Sequence, residues 1–173
     1  MRHGETNYNL MHLCNDNPRV DVHLTDTGRQ QAREVAERLR YAKIELIVIS
    51  ELPRTKQTAD IINIYHSAPF LIDGRINDRK TGFEGKSTKE FQRALLESKD
   101  PYNAKFGGGE TFQEEKQRVK SFLDYLKKFD HNSILVVAHN EILKIINGFY
   151  HNLSDEQMTS TPIPHARVLE IIC

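Results

Sequence analysis

The sequence predicts an α/β domain, a three-layer α/β/α sandwich with a mostly parallel central sheet. Short apolar runs rich in β-branched residues alternate with longer amphipathic stretches. The strongest of those runs are apolar nearly throughout, as strands covered on both faces must be. Helix-capping residues stand at the starts of several of the amphipathic stretches.

The elements follow in order. Leu24-Thr25-Asp26-Thr27-Gly28 opens a helix: Thr25 is an N-cap residue, and Ala32, Val35, Ala36 and Leu39 recur at i, i+3, i+4 and i+7. Residues 44–49 (IELIVI) read as a buried strand. A second helix covers about 54–65, with Ala59, Ile61, Ile62 and Tyr65 apolar, and 70–72 is a short strand. A charged, glycine-containing loop runs over 73–86, and a helix over 87–98 carries Phe91, Ala94 and Leu95 on one face. After a loop at 100–109, Thr111-Phe112-Gln113-Glu114 is a capping box. The helix it opens reaches about residue 129, with Val119, Phe122, Leu123 and Leu126 as its buried stripe. Residues 133–138 (SILVVA) form the strongest strand, 141–149 a helix and 166–172 a last strand. No strand-forming run precedes Arg2-His3. Either Met1 is the tail of a first strand whose earlier residues are missing from this sequence, or that strand is absent.

Length and charge bound the function. The 173 residues make one domain, 1–173, large enough for a real core. Lys+Arg and Asp+Glu both number 24, which argues against nucleic acid or an anionic membrane as partner, since those need a basic surplus. A small cationic pocket remains compatible with this balance. The longest wholly apolar run, 134–138, is far too short to span a bilayer, and the polar N-terminus is no secretory signal. Cys14 and Cys173 form no CxxC pair and no disulfide framework, so a cytoplasmic setting is expected.

Three strand-to-helix junctions carry the chemistry. The strand at 44–49 ends at Ser50, with Arg54 at the start of the next helix; the strand at 133–138 runs straight into His139; and Arg2-His3-Gly4 opens the chain as another such junction. Taken singly, each is an ordinary surface or helix-start residue. In an open α/β sheet, however, ligands sit outside the carboxyl ends of the strands, so the three converge. Two guanidinium groups and two imidazoles in one place suit a phosphate dianion. The eight histidines show neither HxxxH nor HExxH spacing, so no metal is expected.

These residues resemble a known family. Arg2-His3-Gly4-Glu5-Thr6-x-x-Asn9 resembles the RHGETxxN signature of the histidine phosphatase superfamily. Further blocks follow in family order: Leu24-Thr25-x-x-Gly28-x-x-Gln31-Ala32; Ser50-x-Leu52-x-Arg54-Thr55-x-Gln57-Thr58-Ala59; Asp78 to Gly85; Gly109-Glu110-Thr111 with Arg118; and Val136-Val137-Ala138-His139-Asn140. The resemblance implies the superfamily's fold and a phosphohistidine on His3. It implies phosphoryl binding by Arg2, Arg54 and His139, with Asn9 lining the pocket. Asp78 stands at the position of the family's acidic proton donor, one methylene shorter than the usual Glu. Because the loop 82–85 is a residue short, Glu84 is the alternative acid or else a structural cap. Gly4 is expected to let the backbone pass close to the substrate, and Asn140 replaces a common glycine.

Only residues 86–108 separate the acid loop from the Gly109-Glu110-Thr111 block, little material for a tight lid. The expected function is therefore a phosphatase of small phosphomonoesters. A phosphoglycerate mutase-type transferase and a phosphate-binding regulatory module without turnover are the alternatives. No cofactor is expected, the partner is a small phosphorylated metabolite, and the protein is a monomer or homodimer. Phe83, Phe91, Tyr102 and Phe106 form either an apolar wall of the pocket or part of the core.

Overall fold

The computed structural model describes residues 1–160 and 162–171. Three parallel strands form the sheet: β1 (Leu46–Ile49) in the centre, β2 (Phe70–Ile72) on one side and β3 (Ile134–Val137) on the other. Val48 is level with Leu71 and with Val136. Beyond β3, Arg2 makes a parallel bridge to Ala138, and Ala138 N–H donates to Met1 O at 2.9 Å. Met1–Arg2 thus occupies the place where a fourth parallel strand would end.

Alternation along the strands divides the core in two. Ile47, Ile49, Leu135 and Val137 pack with Val35 and Ala36 of α2 (Asp26–Leu39) and Ala59 and Ile62 of α3 (Pro53–Ile62). Leu46 and Val48 face the other way, onto α5 (Phe112–Leu126) and α6 (Asn140–His151), where Phe112, Val119, Phe122, Ile142 and Ile145 are almost wholly buried. The three-layer sandwich follows from this two-sided burial. No helix among the described residues is long and apolar enough to cross a membrane.

The caps form as their sequences predict. Thr25 accepts from Gly28 N–H, and Thr111 and Glu114 close a capping box. α4 (Thr88–Glu97) is capped by Ser87. Leu126 is only half-buried, because α5 ends there. α3 stops at Ile62 and passes into a 3₁₀ turn over Asn63–Tyr65. Two short helices have too few turns to show a period: α1 (Asn7–Met11) and α7 (Asp155–Ser160).

The expected last strand is not formed: the described part of it, 166–171, is a turn followed by irregular chain, and Ile172 lies outside the described residues. Among the described residues the backbone bonds between this segment and residues 1–3 are Arg2 N–H to Arg167 O and Ala166 N–H to His3 O. A ladder needs a run of such pairs in register, and these two do not make one. Cys14 is buried and free; Cys173 lies outside the described residues.

Candidate active site

The sheet brings the three junctions together. His3 N–H donates to Ala138 O at 3.0 Å, so the nucleophile candidate leaves the edge segment level with the end of β3, and His139 follows directly. The His3 and His139 rings lie 5.2 Å apart, edge to face. β1 ends at Ile49, Ser50 follows, and Pro53 then opens α3 with its ring at a first-turn position, which puts Arg54 in the first turn. All three side chains are buried: His3 is 3%, Arg54 3% and His139 0% exposed.

The bonds around His3 fix its tautomer. Nδ1 lies 2.7 Å from Gly4 O, a carbonyl that can only accept, so Nδ1 carries the hydrogen. Nε2 keeps its lone pair and accepts from Arg54 Nε at 3.2 Å. Burial, then Arg54, His139 and Arg2, push the His3 pKa well below the usual histidine value, outweighing the Gly4 hydrogen bond. The ring is neutral near pH 7 and its Nε2 is nucleophilic.

His139 joins a buried hydroxyl network. Ser50 Oγ lies 2.9 Å from Nε2 and itself accepts from Leu52 N–H. Thr55 Oγ is 3.0 Å from Ser50 Oγ and has the Leu52 and Ser50 carbonyls as acceptors. Ser50 O–H has two acceptors in reach, Nε2 and Thr55 Oγ; donation to Nε2 places the ring hydrogen on Nδ1. Nδ1 is buried without a hydrogen-bond partner and stands 3.7 Å from Asp78 Oδ2. Burial and three arginines, Arg54, Arg118 and Arg2, lower the His139 pKa well below its ordinary value.

Arg54 gathers the remaining groups. Its Nη1 donates to Asn15 Oδ1 at 2.6 Å, and its Nη2 donates to Asn15 O at 3.1 Å and Asp78 Oδ2 at 2.9 Å. Arg2 donates from Nη1 to Ile163 O at 2.6 Å, and its Nε is buried and unpartnered. Glu84 is elsewhere: its Oε2 accepts from Asp16 and Asn17 N–H at 2.7 and 3.1 Å, and its Oε1 from Asn15 Nδ2 at 2.9 Å. It caps the 15–17 loop rather than the following helix. Asn9 makes no hydrogen bond to the cluster; its Oδ1 caps α1, accepting from Thr6 N–H and Oγ–H, so only its NH₂ remains to meet a ligand.

The family model for the histidine phosphatase superfamily, branch 1, matches residues 1–173. The chain belongs to that superfamily. It is accordingly a phosphoric monoester hydrolase. The uncharacterized phosphatase PhoE of Bacillus subtilis is 30% identical over 96% of this chain and 82% of its own length. A probable phosphoglycerate mutase GpmB of Erwinia tasmaniensis is 30% identical over 84% of this chain and 70% of its own. The crystal structure of the alpha-ribazole phosphatase from Shigella flexneri superposes with a TM-score of 0.82 at 25% identity, covering 96% of this chain and 85% of that one.

Several motif residues of this histidine phosphatase are backbone anchors. Gln31 Oε1 accepts from Glu5 N–H, Gln57 Oε1 from Leu24 N–H and Thr58 Oγ from Gly4 N–H. They satisfy donors of the loop that bears His3 and of the turn that leads into α2. Gly4 is required for a reason other than substrate approach: a Cβ there would stand 2.4 Å from Gly28 O, and one on Gly28 would stand 2.0 Å from Glu5 O. Helix α2 and the His3 loop touch backbone to backbone. Glycine to alanine inside a helix ordinarily stabilises by ~1 kcal/mol. Here Gly28→Ala is expected to destabilise by about 2–3 kcal/mol in denaturant unfolding, with a fall in turnover as His3 shifts. A stability gain would contradict this packing.

The acid-position loop of the phosphatase is tied down on both sides of Asp78. Arg118 donates to Arg75 O and to both Glu110 oxygens; Glu110 accepts from Lys80 N–H and donates its own N–H to Lys80 O. Gly82 has φ +76°, and a Cβ on it would stand 2.0 Å from Phe106 O. Phe83, Phe91 and Phe106 form a half-buried trio with centroids 5.7–6.2 Å apart beside this loop, whereas Tyr102 packs on Phe112 in the core. Sequence reasoning assigned no role to Ser50 or Thr58, although both lie in a quoted block. Asn15 and His165, whose ring lies 5.8 Å from His3, sit in stretches with no local pattern to mark them.

Proposed function

We propose that the protein hydrolyses small phosphomonoesters through a phosphohistidine on His3. The observation that carries this is the Nε2 lone pair of a neutral His3, met by Arg54 Nε–H, its Nδ1–H fixed on Gly4 O, beside the unpartnered Nδ1 of His139. Nε2 attacks phosphorus and the P–O ester bond breaks, with Asp78 giving its proton to the departing oxygen. Water then attacks phosphorus, Asp78 takes a proton from it, the N–P bond breaks and inorganic phosphate leaves with His3 restored. Arg2, Arg54 and His139 Nδ1–H stabilise the charge on the phosphoryl oxygens, with the NH₂ of Asn9 as a further donor to the ligand. An incoming dianion competes with Asp78 for Arg54, freeing the carboxyl to carry the proton.

The modest cover over the site supports hydrolysis over transfer. The 23 residues 86–108 supply only α4, none of whose residues is fully buried, and a loop. Assaying p-nitrophenyl phosphate and a panel of phosphosugars, with and without bisphosphoglycerate, is expected to show hydrolysis independent of the bisphosphate. Turnover only with it would favour a mutase, and none under either condition a binding module.

Because Arg2, Arg54 and His139 neutralise the phosphoryl group, EDTA is expected to leave the rate nearly unchanged. Vanadate, which mimics five-coordinate phosphorus, is expected to inhibit strongly. Activity lost on chelation and restored by Mg²⁺ or Zn²⁺ would contradict the scheme.

A further inference from the structure

Three buried polar atoms without a hydrogen-bond partner belong to residues around His3: Arg2 Nε, His139 Nδ1 and His165 Nε2. The first two are on groups already read as phosphoryl-binding. The third has no role in that reading. The His165 ring stands 5.8 Å from the His3 ring and is tilted by 46°, so the nucleophile has a second imidazole neighbour besides His139.

The position of His165 is built. Asn140, the residue after His139, accepts from Ile163 N–H at 2.8 Å on its Oδ1, and Arg2 Nη1 donates to Ile163 O at 2.6 Å. Three residues further on, Ala166 N–H donates to His3 O, and Arg2 N–H donates to Arg167 O. The 163–167 strap is thereby fastened to both histidine junctions, with His165 inside the fastened stretch. Asn140, where the family commonly has glycine, supplies one of these fastenings. Burial and Arg2, against a smaller opposing effect of Glu5, push the His165 pKa down to about 4. The ring is neutral near pH 7 and has one hydrogen to place on either nitrogen. A buried donor left unmet is costly, and a bound acceptor relieves that cost.

Resting on the phosphohistidine reading above, we infer that His165 is a further residue of the phosphoryl site, giving an Nε2–H hydrogen bond to an oxygen of the phosphoryl group at His3. A phosphoryl dianion offers acceptors only, so its arrival selects the Nε2–H tautomer. The bond forms only with the ligand present, and its contribution goes to the bound state rather than to folding.

Vanadate binding to the full chain, with thermal midpoints measured with and without vanadate, tests this. His165→Phe keeps a ring but has no donor; His165→Gln restores one at similar reach. The expected result is about tenfold weaker vanadate binding by His165→Phe, the worth of a hydrogen bond to a charged group. His165→Gln is expected to stay within about threefold of wild type, and the vanadate-free midpoint of His165→Phe not to fall. Wild-type affinity in His165→Phe overturns the inference, as does an equal loss in both variants. Should His165→Phe not fold, the wild-type protein decides by NMR: a protected downfield Nε2–H resonance of His165 appears on adding vanadate, and its absence overturns the inference. Failure of the wild type to bind vanadate or form phosphohistidine sinks the proposed function itself, whereas a wild type that does both beside an unaffected His165→Phe sinks only the role of His165.

Discussion

His3→Ala is expected to form no phosphoenzyme and to lose about 10⁴–10⁶-fold in turnover, the scale seen when an enzyme loses its nucleophile. Brief incubation of the wild type with ³²P-labelled substrate, quenched in alkali, should leave an acid-labile, alkali-stable adduct on the protein. The size of the effect follows from the absence of a substitute. His139 is the nearest imidazole, but its Nε2 is engaged by Ser50 and its Nδ1 stands 3.7 Å from Asp78 Oδ2. The His165 ring lies 5.8 Å from that of His3 and beside Arg2. A His3→Ala variant that still forms the adduct would place the covalent step on another residue.

Asp78→Asn is expected to slow cleavage of an alkyl phosphate by about 10²–10⁴-fold, the usual worth of general acid catalysis. An alkoxide leaves poorly without a proton, whereas p-nitrophenolate leaves well, so p-nitrophenyl phosphate should be slowed far less. The difference between substrates isolates proton donation from the other loss in this variant, the 2.9 Å pair with Arg54, which affects both esters alike. Glu84→Gln is the control. Glu84 accepts three hydrogen bonds from the 15–17 loop, and Asn15 in that loop holds Arg54, so any loss should be equal for the two substrates. A selective loss in Glu84→Gln with none in Asp78→Asn would make Glu84 the acid.

Charge relations at the site also act on folding. His3 and His139 are buried with their pKa values pushed down, so the unfolded chain binds protons that the folded one refuses. Their contribution to stability is complete above the ordinary histidine pKa of about 6.5 and declines as the pH falls below it.

Much of this was legible in local pattern. Short, nearly continuous apolar runs located β1, β2 and β3, and Thr25 and Thr111 marked helix starts, because capping and strand burial are written within a few residues of one another. The convergence of His3, Arg54 and His139 was legible for a topological reason: parallel strands deliver their carboxyl ends to one edge, so residues at three junctions meet without any pairwise signal. The stretch 166–171 fails as a strand despite its composition, since pairing depends on a neighbour remote in sequence.

Local pattern alone places β1, β2 and β3, the helices opened by Thr25 and Thr111, and the cationic, two-imidazole character of the junctions. Packing in three dimensions decided which carboxylate faces His139, because Asp78 and Glu84 share one charged loop and differ only in what that loop meets: Arg54 for one, the backbone of residues 15–17 for the other. It alone decided the His3 tautomer, which depends on a carbonyl at Gly4. It alone decided, too, why Gly4 and Gly28 must lack side chains and that His165 stands against His3. Each of these is a contact between segments distant along the chain, set by packing and hydrogen-bond satisfaction at short range in space, and no spacing within the sequence encodes it.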